Sequence, residues 1–299
     1  MNPTRGVVLL AASLLVLGGV AGAASERAGI TGRTQVVAAF YPLAYAASVV
    51  GGKHVDVANL TPPGVEPHDL ELTTDQVDAL QDAGLVLVMG RGFQPAVEKV
   101  AGDRDRGTLR VLDALALRGK HRQDPHVWLD PVLMGTVVDE VRDALAQADP
   151  AHAKVFAANA ARLHQALEAL DADYRAGLAA CPRRLIVTTH EAFGHLAAEY
   201  GLRQEAVTGL APDAEPSARR LAQLSDLATR TGVTTVFTET LASPKIARTL
   251  AREAGGLRTA VLNPLEGLTD RERTRGDDYF TVMRANLDKI ERALGCTAP

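Results

Sequence analysis

Aromatic residues and cysteines are scarce in this chain of 299 residues: Phe, Trp and Tyr together make up 4% of it, and there are 2 cysteines. So few cysteines exclude a disulfide-dense scaffold and a four-cysteine zinc site. An excess of one charge is also missing, since 32 Lys+Arg stand against 36 Asp+Glu. This balance excludes nucleic-acid binding through bulk positive charge, and it excludes an acidic disordered chain. Apolar residues make up 46% of the chain, and its length is near the limit for one core, which predicts a globular protein with two lobes.

The N-terminus carries the pattern of a secretory signal peptide. Arg5 is followed by an apolar run from Val7 to Val20 and then by Ala21-Gly22-Ala23, which supplies the cation, the apolar core and the small-residue cleavage site. The run is shorter than the about 20 residues that a bilayer crossing needs. We therefore expect residues 1–23 to be removed and the mature chain to be periplasmic or secreted. An uncleaved anchor helix is the alternative. No cysteine follows the run, so a lipid anchor is not expected.

That location bears on the two cysteines. In an oxidising compartment two lone cysteines usually pair, so we expect a disulfide between Cys181 and Cys296. The bond would tie the C-terminus to the start of the second lobe. Two buried free thiols are the alternative.

The first half of the chain alternates short β-branched runs with helical patterns, which implies βαβ units and a parallel sheet. Four strands are predicted, at Val36–Phe40, Val55–Leu60, Leu85–Met89 and Leu109–Leu112. Helices are predicted at Leu43–Val50, at Asp75–Ala83 after a Thr74 cap, at Gln94–Ala101 and from Asp130-Pro131 onward.

A long uninterrupted helix is predicted from Pro150 to Leu178. Asp149-Pro150 repeats the cap-and-proline start, and apolar residues then recur at steps of three and four, as on one face of a helix. These residues are Leu163, Leu167, Leu170, Tyr174 and Leu178. No helix breaker and no Gly/Ser-rich linker interrupts the segment, so we expect a rigid connector between two lobes.

The strand–helix alternation then starts again. Strands are predicted at Leu185–Thr189, Gln204–Val207, Thr234–Thr238 and Ala260–Leu262. Helices are predicted at Glu191–Tyr200, Ser217–Arg230, Pro244–Ala254 and Tyr279–Leu294, and the Arg271–Arg275 stretch is interpreted as a solvated loop. The predicted fold class is α/β: two β/α lobes (33–148 and 181–299), each with a mostly parallel four-stranded sheet, joined by one long rigid helix (149–180).

Candidate functional residues follow the predicted strands, because ligands bind beyond the carboxyl ends of strands in open α/β sheets. His68 follows the second strand, His126 the fourth and His190 the fifth, and Asp277 lies after the last strand. Three imidazoles and a carboxylate, two from each lobe, form a tetrahedral zinc ligand set. Each residue also has an ordinary alternative: a lone loop histidine is more often merely hydrogen-bonded, and Asp277 can cap the last helix.

The motifs of several enzyme classes are absent. His190-Glu191 with His195 is not a zinc-protease HExxH, because the second histidine falls at i+5 instead of i+4. No GxSxG, Walker A or GxGxxG pattern occurs in the sequence.

Around these residues the chain resembles the metal-binding substrate-binding proteins of ATP-binding cassette (ABC) importers. The resemblance extends from about Val36 to Cys296, and its most specific segments are Pro63–His68, Asp124–Asp130, Glu239–Lys245 and Gly276–Tyr279. It implies two β/α lobes joined by a rigid helix. It also implies that His68, His126, His190 and Asp277 are the metal ligands.

The resemblance further implies that the protein captures a divalent metal ion and delivers it to an ABC permease in the membrane, without catalysis and without nucleic acid, as a monomer. Zn²⁺ is the expected transported ion, because manganese-binding members tend to carry a carboxylate where this chain has His190. Several alternatives remain. The ligand could be Glu191 in place of His190, and the ion could be manganese or iron(II). The protein could also be a zinc hydrolase or a surface adhesin.

Two features depart from that family pattern. Many zinc members carry a long loop rich in His and Asp in the first lobe, whereas the stretch 102–123 holds His121 as its only histidine. We therefore expect another protein, a metallochaperone, to deliver the metal. Many relatives are lipoproteins, and the cysteine that a lipid anchor needs is missing here.

Overall fold

The computed structural model describes Met1 and residues 32–117, 121–212, 215–241 and 243–297. Apart from Met1, the predicted signal peptide at 1–23 lies outside these residues. The chain from Arg33 onward groups as one unit by its contacts. In this described part of the chain, no helix combines the length and the apolar character needed to cross a membrane.

The first half forms a parallel four-stranded sheet with the order β2-β1-β3-β4. Its strands are β1 (Thr34–Ala38), β2 (Val55–Asn59), β3 (Leu85–Val88) and β4 (Thr108–Arg110). Its helices are α1 (Tyr41–Gly51), α2 (Thr74–Asp82), α3 (Pro95–Gly102), α4 (Val111–Ala114) and α5 (Pro131–Ala148). All four residues of β3 are buried, as expected of a central strand that is covered on both faces.

The second half repeats the plan, with the order β6-β5-β7-β8 and parallel neighbours throughout. Its strands are β5 (Leu185–Thr188), β6 (Arg203–Ala206), β7 (Thr235–Thr238) and β8 (Arg258–Val261). Its helices are α7 (Gly194–Glu199), α8 (Ala218–Thr231), α9 (Lys245–Glu253), α10 (Asp270–Arg275) and α11 (Tyr279–Leu294). The predicted fold class is confirmed.

The two halves are joined by a long helix, α6 (Ala153–Leu178). The predicted start at Pro150 is three residues early, because Pro150–His152 forms a 3₁₀ turn. Asp149 does not cap that turn through its side chain; its Oδ2 lies 2.6 Å from His152 Nδ1. The predicted apolar stripe from Leu163 to Leu178 is buried throughout, and α6 packs against α1, α5 and α11.

One large core cluster extends from the first sheet through α5, α6 and α11 to Ile186 and Phe237 on one face of the second sheet. A smaller cluster fills the other face of that sheet, under α8 and α9. Because the larger core passes through the linker helix without a break, a rigid connection between the halves is favoured. The exact lobe boundaries, 33–148 and 181–299, stay a prediction.

The predicted disulfide between Cys181 and Cys296 is present. It joins Cys181, three residues past the end of α6, to Cys296, two residues past the end of α11, across a sequence separation of 115 residues. In the chain-entropy model, closing a loop of that length lowers the entropy of the unfolded state and so stabilises the fold by on the order of 4–5 kcal/mol.

Two capping boxes contradict the predictions for α2 and for residues 271–275. The cap of α2 is Thr73 and not Thr74, since the Thr73 hydroxyl accepts from the backbone of Gln76 in a reciprocal capping box. The stretch Arg271–Arg275 is not a loop, because Thr269 and Glu272 form a second capping box that starts α10. A Thr followed three residues later by Glu is the sequence signature of such a helix start.

Candidate metal centre

Four side chains that can ligate a metal converge where the two sheets present their strand ends. His68, His126, His190 and Glu266 place one ligating atom each within 4.8 Å of all the others. His68 lies in the connection after β2, and His126 lies just before α5, at the start of a 3₁₀ turn. His190 follows β5, and Glu266 lies between β8 and α10. Each half therefore contributes two ligands from the loops beyond its parallel strands, as open α/β sheets do.

The distances within this cluster fit a small tetrahedral cation. Glu266 Oε1 lies 3.3 Å from the Nε2 atoms of both His68 and His126, and 3.5 Å from Nε2 of His190. The Nε2 atoms of His126 and His190 are 3.3 Å apart. A tetrahedral ion with bonds of about 2.0–2.1 Å holds its ligand atoms about 3.3–3.4 Å apart. These four separations fit a zinc tetrahedron, and the two remaining ones, from His68 to His126 and to His190, lie within 4.8 Å.

His126 is held from behind by a buried carboxylate. Asp124 Oδ1 lies 2.7 Å from His126 Nδ1 and also accepts the His126 backbone N–H at 3.0 Å. Both side chains are buried. A hydrogen bond at Nδ1 leaves Nε2 as the ligating nitrogen and fixes the direction of the ring.

His190 has the same kind of support from the second half. Glu239 Oε2 pairs with His190 Nδ1, and Glu239 Oε1 accepts the His190 backbone N–H at 2.9 Å. The hydroxyl of Thr189 also donates to that oxygen. Glu239 begins one of the segments that resemble the family, but its role depends on the approach of β7 to β5, which spacing in the sequence does not reveal.

His68 is positioned differently. Its backbone N–H donates to Glu66 Oε2 at 3.0 Å, and its ring packs edge-on against Phe93 with centroids 4.5 Å apart. Its side chain is 9% exposed, whereas those of His126 and His190 are fully buried. His68 therefore lies on the open side of the cluster. Beside it, burial and the charge of Glu266 raise the pKa of Glu66 to about 7.

The carboxylate and the imidazoles shift one another's protonation. Burial raises the pKa of Glu266, but hydrogen bonds from His126, His190 and His68 outweigh it and hold that pKa well below its usual value. Burial lowers the pKa of His190, but Glu239 and Glu266 outweigh it and raise it to about 10. The pKa of His126 is also raised, because Asp124 and Glu266 outweigh its burial. A metal ion must displace the protons that these imidazoles carry before it can bind.

The loop that carries Glu266 is fixed by a buried amide pair. Asn263 donates its backbone N–H to Asn286 Oδ1 at 3.0 Å, and Asn286 Nδ2 donates to the Asn263 carbonyl at 2.7 Å. Asn263 Oδ1 then accepts the backbone N–H of Leu265 at 2.8 Å. Leu265 has a φ of +56°, a conformation that costs a non-glycine residue on the order of 1 kcal/mol. The amide network stabilises this turn and aims Glu266 at the histidines.

Asp277, the predicted fourth ligand, does not join the cluster. Its Oδ2 pairs with Arg275, with an Nε–Oδ2 distance of 3.1 Å, and its side chain is 21% exposed. The cap of α11 is the neighbouring Asp278, which accepts the Thr281 backbone N–H at 2.8 Å. Glu266 takes the position expected for Asp277. The alternative ligand Glu191 is exposed and is not among the four.

The prediction missed Glu266 although the sequence carries a signal for it. Glu266 follows β8 at the carboxyl end of the sheet, where the rule that selects the histidines applies equally. Asp277 is favoured in the sequence because it lies just before the last helix, within a motif of the resembling family. Both residues are acidic, and the sequence does not show which carboxylate the chain turns inward.

The fold and the cluster define a two-lobed cation-binding protein, and comparison with known proteins narrows the class. Residues 36–293 match the family ZnuA, described as zinc-uptake complex component A, periplasmic. The zinc-binding protein AdcA of Streptococcus pyogenes is 39% identical over 287 residues, which cover 87% of this chain and 56% of that protein. The high-affinity zinc uptake system protein ZnuA of Bacillus subtilis is 34% identical over 281 residues, 88% of each chain.

A solved structure agrees with these matches. The Zn(II)-bound ZnuA-like domain of Streptococcus pneumoniae AdcA has a TM-score of 0.77 and 36% identity, covering 88% of this chain and 99% of that domain. The chain spans about half the length of the AdcA relatives, 56% for the Streptococcus pyogenes protein. The chain belongs to the ZnuA family of zinc-uptake complex components.

Proposed function

We propose that the protein is the zinc-binding component of an ABC importer, and that it binds Zn²⁺ through His68, His126, His190 and Glu266. The observation that carries the proposal is the convergence of the four ligating atoms, all within 4.8 Å of one another, with four of their separations at 3.3–3.5 Å, close to those around a tetrahedral zinc ion. The AdcA and ZnuA relatives are described as zinc-binding or zinc-uptake proteins.

The donor set favours zinc over manganese or iron(II). Three imidazoles and one carboxylate suit zinc, whereas manganese prefers carboxylates, carbonyls and water at octahedral sites. The third ligand position carries His190 rather than a carboxylate.

The same geometry disfavours a zinc hydrolase. A catalytic zinc keeps one coordination position open for water, whereas four protein ligands complete the shell of a tetrahedral ion. The family description is that of a component of an uptake complex, which is a binding role. The zinc ion is therefore the cargo and not a cofactor.

The metal proposal is tested on mature protein purified without chelator. We expect one tightly bound zinc per chain by elemental analysis, retained in competition with an excess of Mn²⁺. Absence of tight zinc, or its replacement by manganese under those conditions, would refute it. Zinc-independent binding to host surface ligands, in a protein that holds no zinc, would support the adhesin alternative instead.

A membrane permease is the proposed recipient of the ion, and the compartment is extracytoplasmic. The support is the family description as a periplasmic component of an uptake complex. Deletion of the gene should lower cellular zinc content under zinc limitation, and an unchanged content would contradict delivery to a permease.

The proposed processing follows from the pattern at residues 1–23. Cleavage after Ala23 without lipid attachment is the expected outcome, and intact-mass measurement of the exported protein checks it. A retained Met1 or an added lipid mass would show an anchored protein.

A further inference from the structure

A second group of metal-binding side chains lies directly behind the main cluster. His121 Nδ1 and His195 Nε2 each lie 3.9 Å from Asp124 Oδ2. The other oxygen of the same carboxylate, Oδ1, supports the ligand His126. Asp124 therefore has one oxygen facing the main metal centre and one facing this second pair of imidazoles.

Asp124 Oδ2 is a buried oxygen that the main centre does not use. The Asp124 side chain is 3% exposed, and this atom has no hydrogen-bond partner among the described residues. A buried carboxylate oxygen without a donor costs stability and in native structures generally has an explanation, such as a bound ion. Here two imidazoles lie 3.9 Å away, and imidazoles bind zinc together with carboxylates.

The spacing of the second group resembles that of the main centre. The ring centroids of His121 and His195 are 5.6 Å apart, and those of the three main-site histidines are 5.2, 5.6 and 6.1 Å apart. The close approach depends on Gly194, because a Cβ at that position would lie 2.6 Å from Asp124 Oδ2 and 2.8 Å from His121 Nδ1. Glycine thus leaves room for the carboxylate and the ring to meet.

The second group is also more open than the first. The side chain of His121 is 20% exposed and that of His195 is 8% exposed, so an ion can reach it from solvent on the His121 side. His195 Nε2 lies 3.0 Å from the backbone carbonyl of Asp124, and binding a metal ion would exchange that contact for a metal bond. This exchange, together with ligand distances longer than those of the main centre, predicts weaker binding than at the main centre.

We propose that His121, His195 and Asp124 Oδ2 form an accessory zinc site that shares Asp124 with the main centre. The inference deepens the proposed function and depends on it for the choice of zinc. It gives the chain a second coordination position next to the first, on the other oxygen of the same carboxylate.

The test is a zinc titration of the mature chain with a competing chromophoric chelator, carried to saturation. The wild type should bind one zinc tightly and a second more weakly. H121Q and H195Q should each lose the second equivalent and keep the first, because glutamine retains a side-chain donor for Asp124 but offers a poor zinc ligand. His164 is partly exposed and pairs with Asp139, away from both groups, so H164Q is the matched control and should keep both equivalents.

Two results would overturn the accessory site: a wild type that saturates at one zinc, or H121Q and H195Q variants that keep the second equivalent. H121Q changes a partly exposed loop residue, which guards against a folding defect in the buried His195 variant. Absence of the first, tight equivalent would instead refute the proposed function. The two failures are therefore distinguishable in one titration.

Discussion

Glu266 and Asp277 are two carboxylates 11 positions apart in the same connection between β8 and α11, and they have opposite environments. Glu266 is 2% exposed and faces three imidazoles. Asp277 is 21% exposed and pairs with Arg275. The turn at Leu265 and the Asn263–Asn286 pair direct the first inward, whereas α10 carries the chain back toward solvent before the second.

Local sequence context therefore does not decide which of these two carboxylates is the metal ligand. Both carboxylates lie beyond the last strand, and both could complete a set of three histidines. The difference arises from side chains distant in sequence that fix one loop. Pairs of variants, one at a buried group of the cluster and one at an exposed residue, test this difference.

The largest effect is expected from removing the ligand charge. E266Q should weaken zinc binding by more than the about 10–100-fold that the loss of a supporting hydrogen bond causes, because the only anionic ligand disappears while the shape is kept. D277N should leave the affinity unchanged. Chelator competition at neutral pH measures both. A strong loss in D277N with none in E266Q would reverse the assignment.

The second pair compares neighbours at the end of β5. H190A should abolish tight zinc binding and also destabilise the metal-free protein, because Glu239 is left buried without its partner. E191Q should change neither, since Glu191 is exposed. H190E should narrow the preference for zinc over manganese. Chelator competition and denaturant unfolding measure these effects. If E191Q lost zinc and H190A kept it, the ligand set would be wrong.

A smaller effect on zinc affinity is expected from Glu239, which supports the ligand His190 without being one of the four ligands. E239Q removes the carboxylate that orients His190 and should weaken zinc binding by about 10–100-fold. Glu253, an exposed residue at the end of α9, provides the control E253Q, which should match the wild type. Equal affinities in both variants would show that Glu239 does not position the ligand.

The smallest effect, per pH unit, is expected in the pH dependence of zinc affinity. Because the pKa of His190 is raised to about 10 in the metal-free protein, zinc affinity should keep rising above pH 6.5, by about tenfold per pH unit for each proton displaced. A plateau just above that pH would indicate unperturbed histidines.

The raised pKa of His190 has the opposite effect on the stability of the metal-free protein, which falls as pH rises. A histidine whose pKa is raised on folding stabilises the protein fully below its unfolded pKa of about 6.5, and this contribution is lost as pH rises toward the folded value. Denaturant unfolding of the metal-free protein should therefore show decreasing stability over the window in which zinc affinity increases. H190A should remove much of this dependence.

Much of the fold is predictable from the sequence because its signals are local. All eight strands are predicted within about two residues of their bounds, since β-branched runs bounded by turn residues depend on neighbouring positions, as does the period-3.6 stripe of α6. The three histidines are predictable for a related reason: each follows a strand at the end where ligands bind. Two of the missed features, α10 and the Thr73 cap, carry capping boxes in their sequence, so they too have a local signal.

The remaining parts of the site depend on distant contacts. Glu239 reaches His190 across 49 positions, and Asp124 and His195 meet across 71 positions. No periodicity or motif encodes such approaches, because they result from how the two sheets and α6 pack. The choice of Glu266 over Asp277 belongs to the same class.

Trp128, the only tryptophan in the chain, lies where these contacts meet. Its ring centroid is 5.1 Å from that of the ligand His126, and its Nε1 donates to the Pro264 carbonyl at 2.8 Å, on the loop that carries Glu266. The indole is therefore bonded to the second half of the molecule while it packs beside a ligand of the first. Because no other indole contributes to the emission, we expect Trp128 fluorescence to respond to zinc loading and to the alignment of the two halves.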